Sequence, residues 1–271
     1  MFVMGCYSPT IPTGAPCSPS DTCPSSLVCD PVTHTCEREP SLVDGHVAPE
    51  AGQSDAALDA PSGPPVSTLV GTAQSAANGT TVSLVLTKAV AAGTMLVAEV
   101  AGRGDPPVSV TDSKLNTWST VVEVGNASGA SIAGVYAVVV AAPLAAGDTI
   151  TATVTSSSSY TRAIAVFALD RAATVDRTGT AQTTGTNPSV TTTGAVTATA
   201  ELELGVIATG FNTADAFTPG LAFEEVFEFG TTFSSGSFNR KSATAPVGPR
   251  TFTATTLQSS ASYALAIATF R

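Results

Sequence analysis

From Val66 onward the chain alternates between polar and apolar positions. In Thr149-Ile150-Thr151-Ala152-Thr153-Val154-Thr155 every odd position is threonine and every even one is apolar, which predicts an antiparallel strand with one face buried and the other wet. Thr117 to Val124 predicts a second strand that sends Trp118, Val122 and Val124 to one side. In a third, Leu221, Phe223, Phe227 and Phe229 share a face against Glu224, Val226 and Glu228, with Glu225 interrupting the apolar side. Turn signals, among them Asn78-Gly79, Ala92-Gly93, Asn126 to Gly129, Gly147-Asp148 and Pro219-Gly220, separate short strands, as in a sandwich or barrel. The fold class expected for residues 67–271 is all-β: an antiparallel, jelly-roll-like β-sandwich.

The strands also repeat. Gly71-Thr72-Ala73-Gln74 returns as Gly179-Thr180-Ala181-Gln182, and Tyr160 to Phe167 returns as Tyr263 to Phe270, 108 and 103 residues later. Two matches in the same order at near-equal spacing point to duplicated halves, about 67–170 and 171–271. Asp170 to Thr178 joins them without a Pro/Gly linker, which favours one pseudo-symmetric sandwich over two separate beads.

Composition agrees with β structure and narrows the partners. Of the 271 residues 43% are hydrophobic, yet most of these are Ala and Val, with Thr, Ser and Gly filling much of the rest. Straight-chain helix formers are scarce, and no apolar run is long enough for a membrane-spanning helix. The net charge is −10, most of it within residues 1–66, where eight acids face Arg38 alone. No basic cluster exists, so nucleic acid is not a partner.

All five cysteines lie within the first 36 residues. Cys17, Cys23, Cys29 and Cys36 are evenly spaced with prolines among them, unlike the tight pairs of a zinc site. So short a segment cannot bury enough surface to fold unaided, and two disulfides would close it into a knot. Of the three connectivities, the one expected is Cys17–Cys29 with Cys23–Cys36. His34 and His46 read as exposed turn and linker residues. Residues 37–66 form an acidic Pro/Ala-rich linker that cannot offset its ordering entropy. Cys6 is then left unpaired, directly after Val3-Met4-Gly5.

Val3-Met4-Gly5-Cys6 resembles the lipobox of bacterial lipoproteins, and the stretch from Pro16 to Cys36 resembles the Cys-rich leaders of many bacterial surface lipoproteins. The resemblance implies that residues 1–5 are the remnant of an export signal. It also implies that Cys6 is the lipidated first residue of region 6–36, and that the protein is exported and anchored in a membrane through its lipid. Tyr7 rather than Asp after the cysteine is compatible with onward transport to the outer membrane.

Val110 to Trp118, with Asp112, Leu115 and Asn116, resembles a V-x-D-x-x-G-N-x-aromatic hairpin of secreted bacterial and phage β-sandwich modules, many of unassigned function. The resemblance covers roughly residues 67–271 and implies the same sandwich; Leu115 stands where the pattern has Gly. Asp112 and Asn116 can close the turn on their own backbone. Calcium would need six or more ligands, and no metal is assigned. Trp118, with Asp112 and Asn116, is the candidate ligand-binding group, because an exposed indole can stack on a sugar ring.

No histidine follows His46, which removes Ser-His-Asp, Cys-His and histidine–metal chemistry from the sandwich. Glu99, Glu201, Glu203, Glu224, Glu225 and Glu228 could offer a glycosidase pair, but Glu201 and Glu203 share one strand face and are expected to be solvated. No catalytic residue and no cofactor is assigned. Arg103-Gly104-Asp105 is a tripeptide that integrins read, common by chance. The function expected is that of a surface-anchored structural or adhesive lipoprotein whose partner is a surface glycan or matrix protein. The alternative is a cell-surface carbohydrate-binding module.

Overall fold

The computed structural model describes residues 15–18, 23, 27–29, 34–38, 63–75, 79–125, 131–155, 160–210, 215–220, 222–231, 234–258 and 261–271. Segment 1–5, Cys6, His46, Asn126 and most of linker 37–66 lie outside the described residues. The chain divides into two units, Met1–Ala60 and Pro61–Arg271.

In the first unit, β1 (Ala15–Pro16), β2 (Leu27–Cys29) and β3 (Thr35–Arg38) pair in the order β1-β3-β2. Disulfides Cys17–Cys29 and Cys23–Cys36 link them, the connectivity expected from the sequence. His34 is exposed and takes a left-handed backbone conformation in the turn before β3, with φ 52°.

Among the described residues of the second unit, every strand pairing is antiparallel and there is no helix. Its first half contains β4 (Ser67–Gln74), β5 (Thr81–Val85), β6 (Met95–Gly102), β7 (Val108–Asp112), β8 (Ser119–Gly125), β9 (Ile132–Val139), β10 (Thr149–Val154) and β11 (Arg162–Leu169). Its second half contains β12 (Val175–Thr184), β13 (Ser189–Thr191), β14 (Ala200–Thr209), β15 (Phe217–Pro219), β16 (Glu224–Gly230), β17 (Ser235–Thr244), β18 (Thr251–Thr256) and β19 (Ser262–Phe270). Each half pairs a five-stranded sheet, β4-β11-β6-β9-β8 or β12-β19-β14-β17-β16, with a three-stranded one, β5-β10-β7 or β13-β18-β15. Numbered within its half, each set reads 1-8-3-6-5 and 2-7-4. This is a jelly-roll winding in which the fifth strand has moved onto the larger sheet.

Three cores separate these sheets. Leu84, Val110, Ile150, Ile164 and their neighbours fill the space between the first half's sheets. Val190, Ile207, Phe252 and Leu265 do so in the second. The third core joins the halves, since Val97, Val135, Ala165 and Phe167 pack with Leu204, Val206, Phe238 and Ala266. The unit is therefore four layers deep, three strands on five on five on three. The antiparallel, jelly-roll-like β-sandwich with duplicated halves expected for residues 67–271 is present, one half stacked on the other.

The four layers explain the composition. Both faces of each five-stranded sheet are covered, so β6, β9, β11, β14 and β19 are buried along nearly their whole length. In β11 the central face carries Ala163, Ala165 and Phe167 while Ile164 and Val166 point to the outer core. In β19 Ala264, Ala266 and Ala268 face the centre, and Tyr263, Leu265 and Ile267 face outward. Alanine predominates on the central face because small side chains let two sheets pack closely. Sheets buried on both faces replace alternation with continuous apolar runs.

Two expectations change in detail. The pairing breaks register between Thr120 and Val122 in β8, and at the equivalent place between Glu225 and Phe227 in β16. A bulge turns the following residues to the other face. Trp118 consequently packs on the first outer core while Val122 and Val124 reach the central layer. Likewise Phe223 joins the second outer core, and Phe227 and Phe229 the central one. The repeat is also displaced by two residues at its C-terminal end. Gly71 pairs with Val166 and Gly179 with Ile267, so Tyr263 occupies the place of Arg162 rather than Tyr160. Both plug the end of an outer core, Arg162 at 1% exposure and Tyr263 at 0%.

Candidate functional site

The hairpin between β7 and β8 brings Asp112, Asn116 and Trp118 together. Asp112 Oδ1 accepts hydrogen bonds from the Lys114 amide (2.9 Å), the Asn116 amide (3.3 Å) and Asn116 Nδ2 (3.2 Å), while Oδ2 accepts from Trp118 Nε1 at 2.9 Å. Asn116 Oδ1 accepts from the amides of Ala141 and Ala142, and its Nδ2 donates to the Ala142 carbonyl. The two polar side chains are buried and their oxygens are spent on the turn and on the loop after β9. Leu115 takes the left-handed conformation the turn requires, with φ 60°. The arrangement holds the hairpin shut, and the half-buried indole lies against the core.

A second polar cluster closes one end of the second half. Glu201 and Glu203 do share a face of β14, but it is an inward face: both are 0% exposed. The solvated face expected for them is thus corrected, because the three-stranded sheet and the Arg250 segment cover it. Glu203 pairs with Lys241 Nζ at 3.2 Å and with Arg250 Nε at 3.3 Å; Glu201 lies 3.9 Å from the same Arg250 nitrogen. Burial pushes the Glu201 carboxyl up to about 8, helped by Asp176 beside it and opposed by Arg250 and Thr269. Burial also works against the Asp176 charge, but hydrogen bonds from Glu201 and Thr197 and the Arg177 charge outweigh it and bring Asp176 down to about 2. Asp176 thus holds the negative charge and Glu201 the proton, the usual outcome for two acids in one dry site. The pair resembles a catalytic dyad in chemistry, yet Glu201 has no exposed surface and Asp176 little, so no substrate meets it. The glutamates missed as buried residues had one available signal, the uninterrupted apolar run Leu204 to Ala208 that follows them.

Glu99 stands alone in the central layer. It is 0% exposed, neither carboxyl oxygen has a hydrogen-bond partner, and its register neighbours are Val135 and Ala165. Burial raises its pKa far above the ordinary value, so it is a neutral acid. Glu224 and Glu225 are exposed and bond Arg240 and Ser237 respectively; Glu228 holds the Phe217 amide at 2.9 Å. Within the Arg-Gly-Asp tripeptide, the Arg103 guanidinium lies over the Tyr160 ring, 3.7 Å from its centroid. The structure brings the hairpin trio together and does not bring the six glutamates into one site.

No protein-family model matches the chain, and neither a curated protein nor a solved structure does.

Two surfaces remain. The outward positions of β5, β7 and β10 and of β13, β15 and β18 carry serine or threonine throughout, except at Val85. These are the broad faces the unit turns to solvent, one per half.

Proposed function

We propose that this chain is a surface-anchored lipoprotein with an adhesive head: lipid at Cys6, a disulfide knot, the 37–66 tether and the duplicated sandwich. The supporting observation is the layer order. Stacking the larger sheets back to back consumes the apolar surface of both halves in a shared core, and leaves each half presenting one regular, uncharged strand face. Such a head displays two like faces at a fixed relation, which suits multipoint contact with a surface. The carbohydrate-module alternative has less support, because Trp118 donates its indole N–H to Asp112 and packs its ring on the core.

The anchor is tested by expressing the gene with its own upstream region in a bacterial host fed an alkyne fatty acid. The wild-type chain should carry the label in the membrane fraction, and Cys6→Ser should abolish both label and retention. A wild-type chain that stays unlabelled would overturn the anchored reading.

A further inference from the structure

The two halves differ at one seam, where the segment after each half's second strand meets the first strand of the large sheet. The two segments correspond. Leu86 N donates to Asp148 O as Thr192 N does to Arg250 O, and Val90 N donates to Leu144 O as Val196 N does to Gly248 O. Thr87 therefore stands where Thr193 does, Ala89 where Ala195 does, and Ala91 where Thr197 does. Across the seam, Thr68 and Leu69 pair with Ala168 and Phe167 as Arg177 and Thr178 pair with Thr269 and Ala268.

In the second half the seam is stitched shut. Thr193 donates to the Thr178 carbonyl through its amide at 2.8 Å and its hydroxyl at 2.9 Å. Arg177 Nε donates to the Ala195 carbonyl at 2.9 Å, and Thr197 Oγ1 to Asp176 Oδ1 at 2.8 Å. In the first half Thr68 is too short to do what Arg177 does, and Ala91 lacks the hydroxyl of Thr197. Among the described residues no hydrogen bond joins 87–91 to β4. A cavity of about 420 Å³ stands open there instead, lined by Leu69, Val70, Ala89, Val90 and Ala168, with Lys88 at its rim.

The open seam has three recognition features. Leu69 is 39% exposed beside it, an apolar surface that a partner can cover. Backbone groups are free: the Thr87 amide and the Leu69 carbonyl lack the bond their counterparts make. β5 is also the edge of its sheet. The bonds from Val154 N to Thr80 O and from Leu86 N to Asp148 O turn its even residues toward β10, so the amides of Thr81, Ser83 and Val85 point away from the sheet. Lys88, finally, is exposed and has no ion pair among the described residues. A free edge strand is ordinary by itself; a seam that one half closes and the other opens over an apolar cavity is not.

We infer that the open seam of the first half binds an extended polypeptide segment of apolar and acidic character. The segment adds as a strand along β5, seats an apolar side chain between Leu69 and Val90, and places a carboxylate at Lys88. Unpaired backbone donors and acceptors match a peptide better than a sugar. This inference rests on the adhesive reading and names the partner as a polypeptide.

The experiment uses the full-length chain and an array of peptides about eight residues long. They carry Val, Leu, Ile or Phe at alternate positions, Thr between them, and Glu or Lys at the end. Matrix-coated plates and a glycan array run alongside. The wild type should bind Glu-ending peptides, and N-methylating alternate amides of the strongest binder should weaken it about tenfold or more. Thr68→Arg gives the seam the side chain that closes it in the second half, and should weaken binding to a similar degree. Lys88→Glu should exchange the preference for Glu-ending peptides for Lys-ending ones. Leu115→Lys, exposed and off the seam, should bind as the wild type does. Melting curves confirm that each variant is folded. Peptide binding unchanged by N-methylation, or by both Thr68→Arg and Lys88→Glu, overturns the seam as the site. Adhesion to matrix or glycan with no peptide bound overturns the seam and leaves adhesion standing. Peptide bound as expected without adhesion supports the seam and overturns the adhesive reading. Binding to nothing overturns both.

Discussion

Glu123 and Glu228 occupy equivalent places in the two halves and do the same thing. Glu123 on β8 accepts the backbone amide of Val108, the first residue of β7, at 3.0 Å. Glu228 on β16 accepts the amide of Phe217, the first residue of β15, at 2.9 Å. In each case a carboxylate on the fifth strand reaches from the large sheet to the fourth strand on the small one. The displaced fifth strand of this jelly roll would otherwise leave that amide without a ladder partner. Glu123 also accepts the Tyr136 hydroxyl, and burial together with Glu123 raises the tyrosine pKa.

Removing Glu123 therefore strands two buried donors, and Glu123→Ala should cost about 1–3 kcal/mol. Glu228→Ala strands one amide beside an exposed carboxylate and should cost less. Urea unfolding midpoints of the two variants check the order; equal or reversed costs would contradict the strap.

Stability should fall toward alkaline pH. The folded-state pKa of Glu201 lies above its unfolded value, at about 8, so the unfolded chain releases this proton first. The stability linked to it is complete below the unfolded value of about 4.3 and drains away as pH rises toward 8. Glu99 adds to the same loss. Asp176 works at the other end: its contribution is lost as pH falls through about 2. The unfolding free energy should be larger at pH 5 than at pH 8 by about 2 kcal/mol or more, and Glu201→Gln should reduce the difference. A chain more stable at pH 8 would contradict it.

Leu115→Gly should stabilise the protein. Leu115 is 84% exposed and sits at φ 60°, where a side chain costs about 1–2 kcal/mol. Glycine's extra freedom in the unfolded chain takes back part of that, leaving a gain of about 0.5–1 kcal/mol. A thermal melt of the variant decides the sign.

How much of this was legible in the sequence follows from the layers. β10 lies in a sheet with one wet face, and its Thr-x-Thr alternation announced the strand correctly. The spacing of the cysteines left three pairings open, and it is the structure that selects Cys17–Cys29 with Cys23–Cys36. β14 lies in a sheet covered on both sides, and Glu201-Leu202-Glu203-Leu204 imitates a half-wet strand while both glutamates are sealed. The apolar run Leu204 to Ala208 is the one local hint; the alternation itself does not report that the three-stranded sheet of the same half and the Arg250 segment will cover the glutamate face. The bulges in β8 and β16 were equally hidden, since the residue that changes face at a bulge is set by the pairing strand. The hairpin trio was found as a group through its resemblance to a known hairpin pattern, but only the hydrogen bonds reveal that its oxygens are occupied.

The most direct test of the four-layer body is calorimetry of the intact chain. Phe238 stands at 0% exposure in the core that joins the halves, so the halves should unfold together. The 61–271 unit should give one transition whose calorimetric and van't Hoff enthalpies agree. Phe238→Ala should lower that single transition by the equivalent of about 3–5 kcal/mol. Two resolved transitions in the wild type, with Phe238→Ala shifting only one, would contradict the shared core.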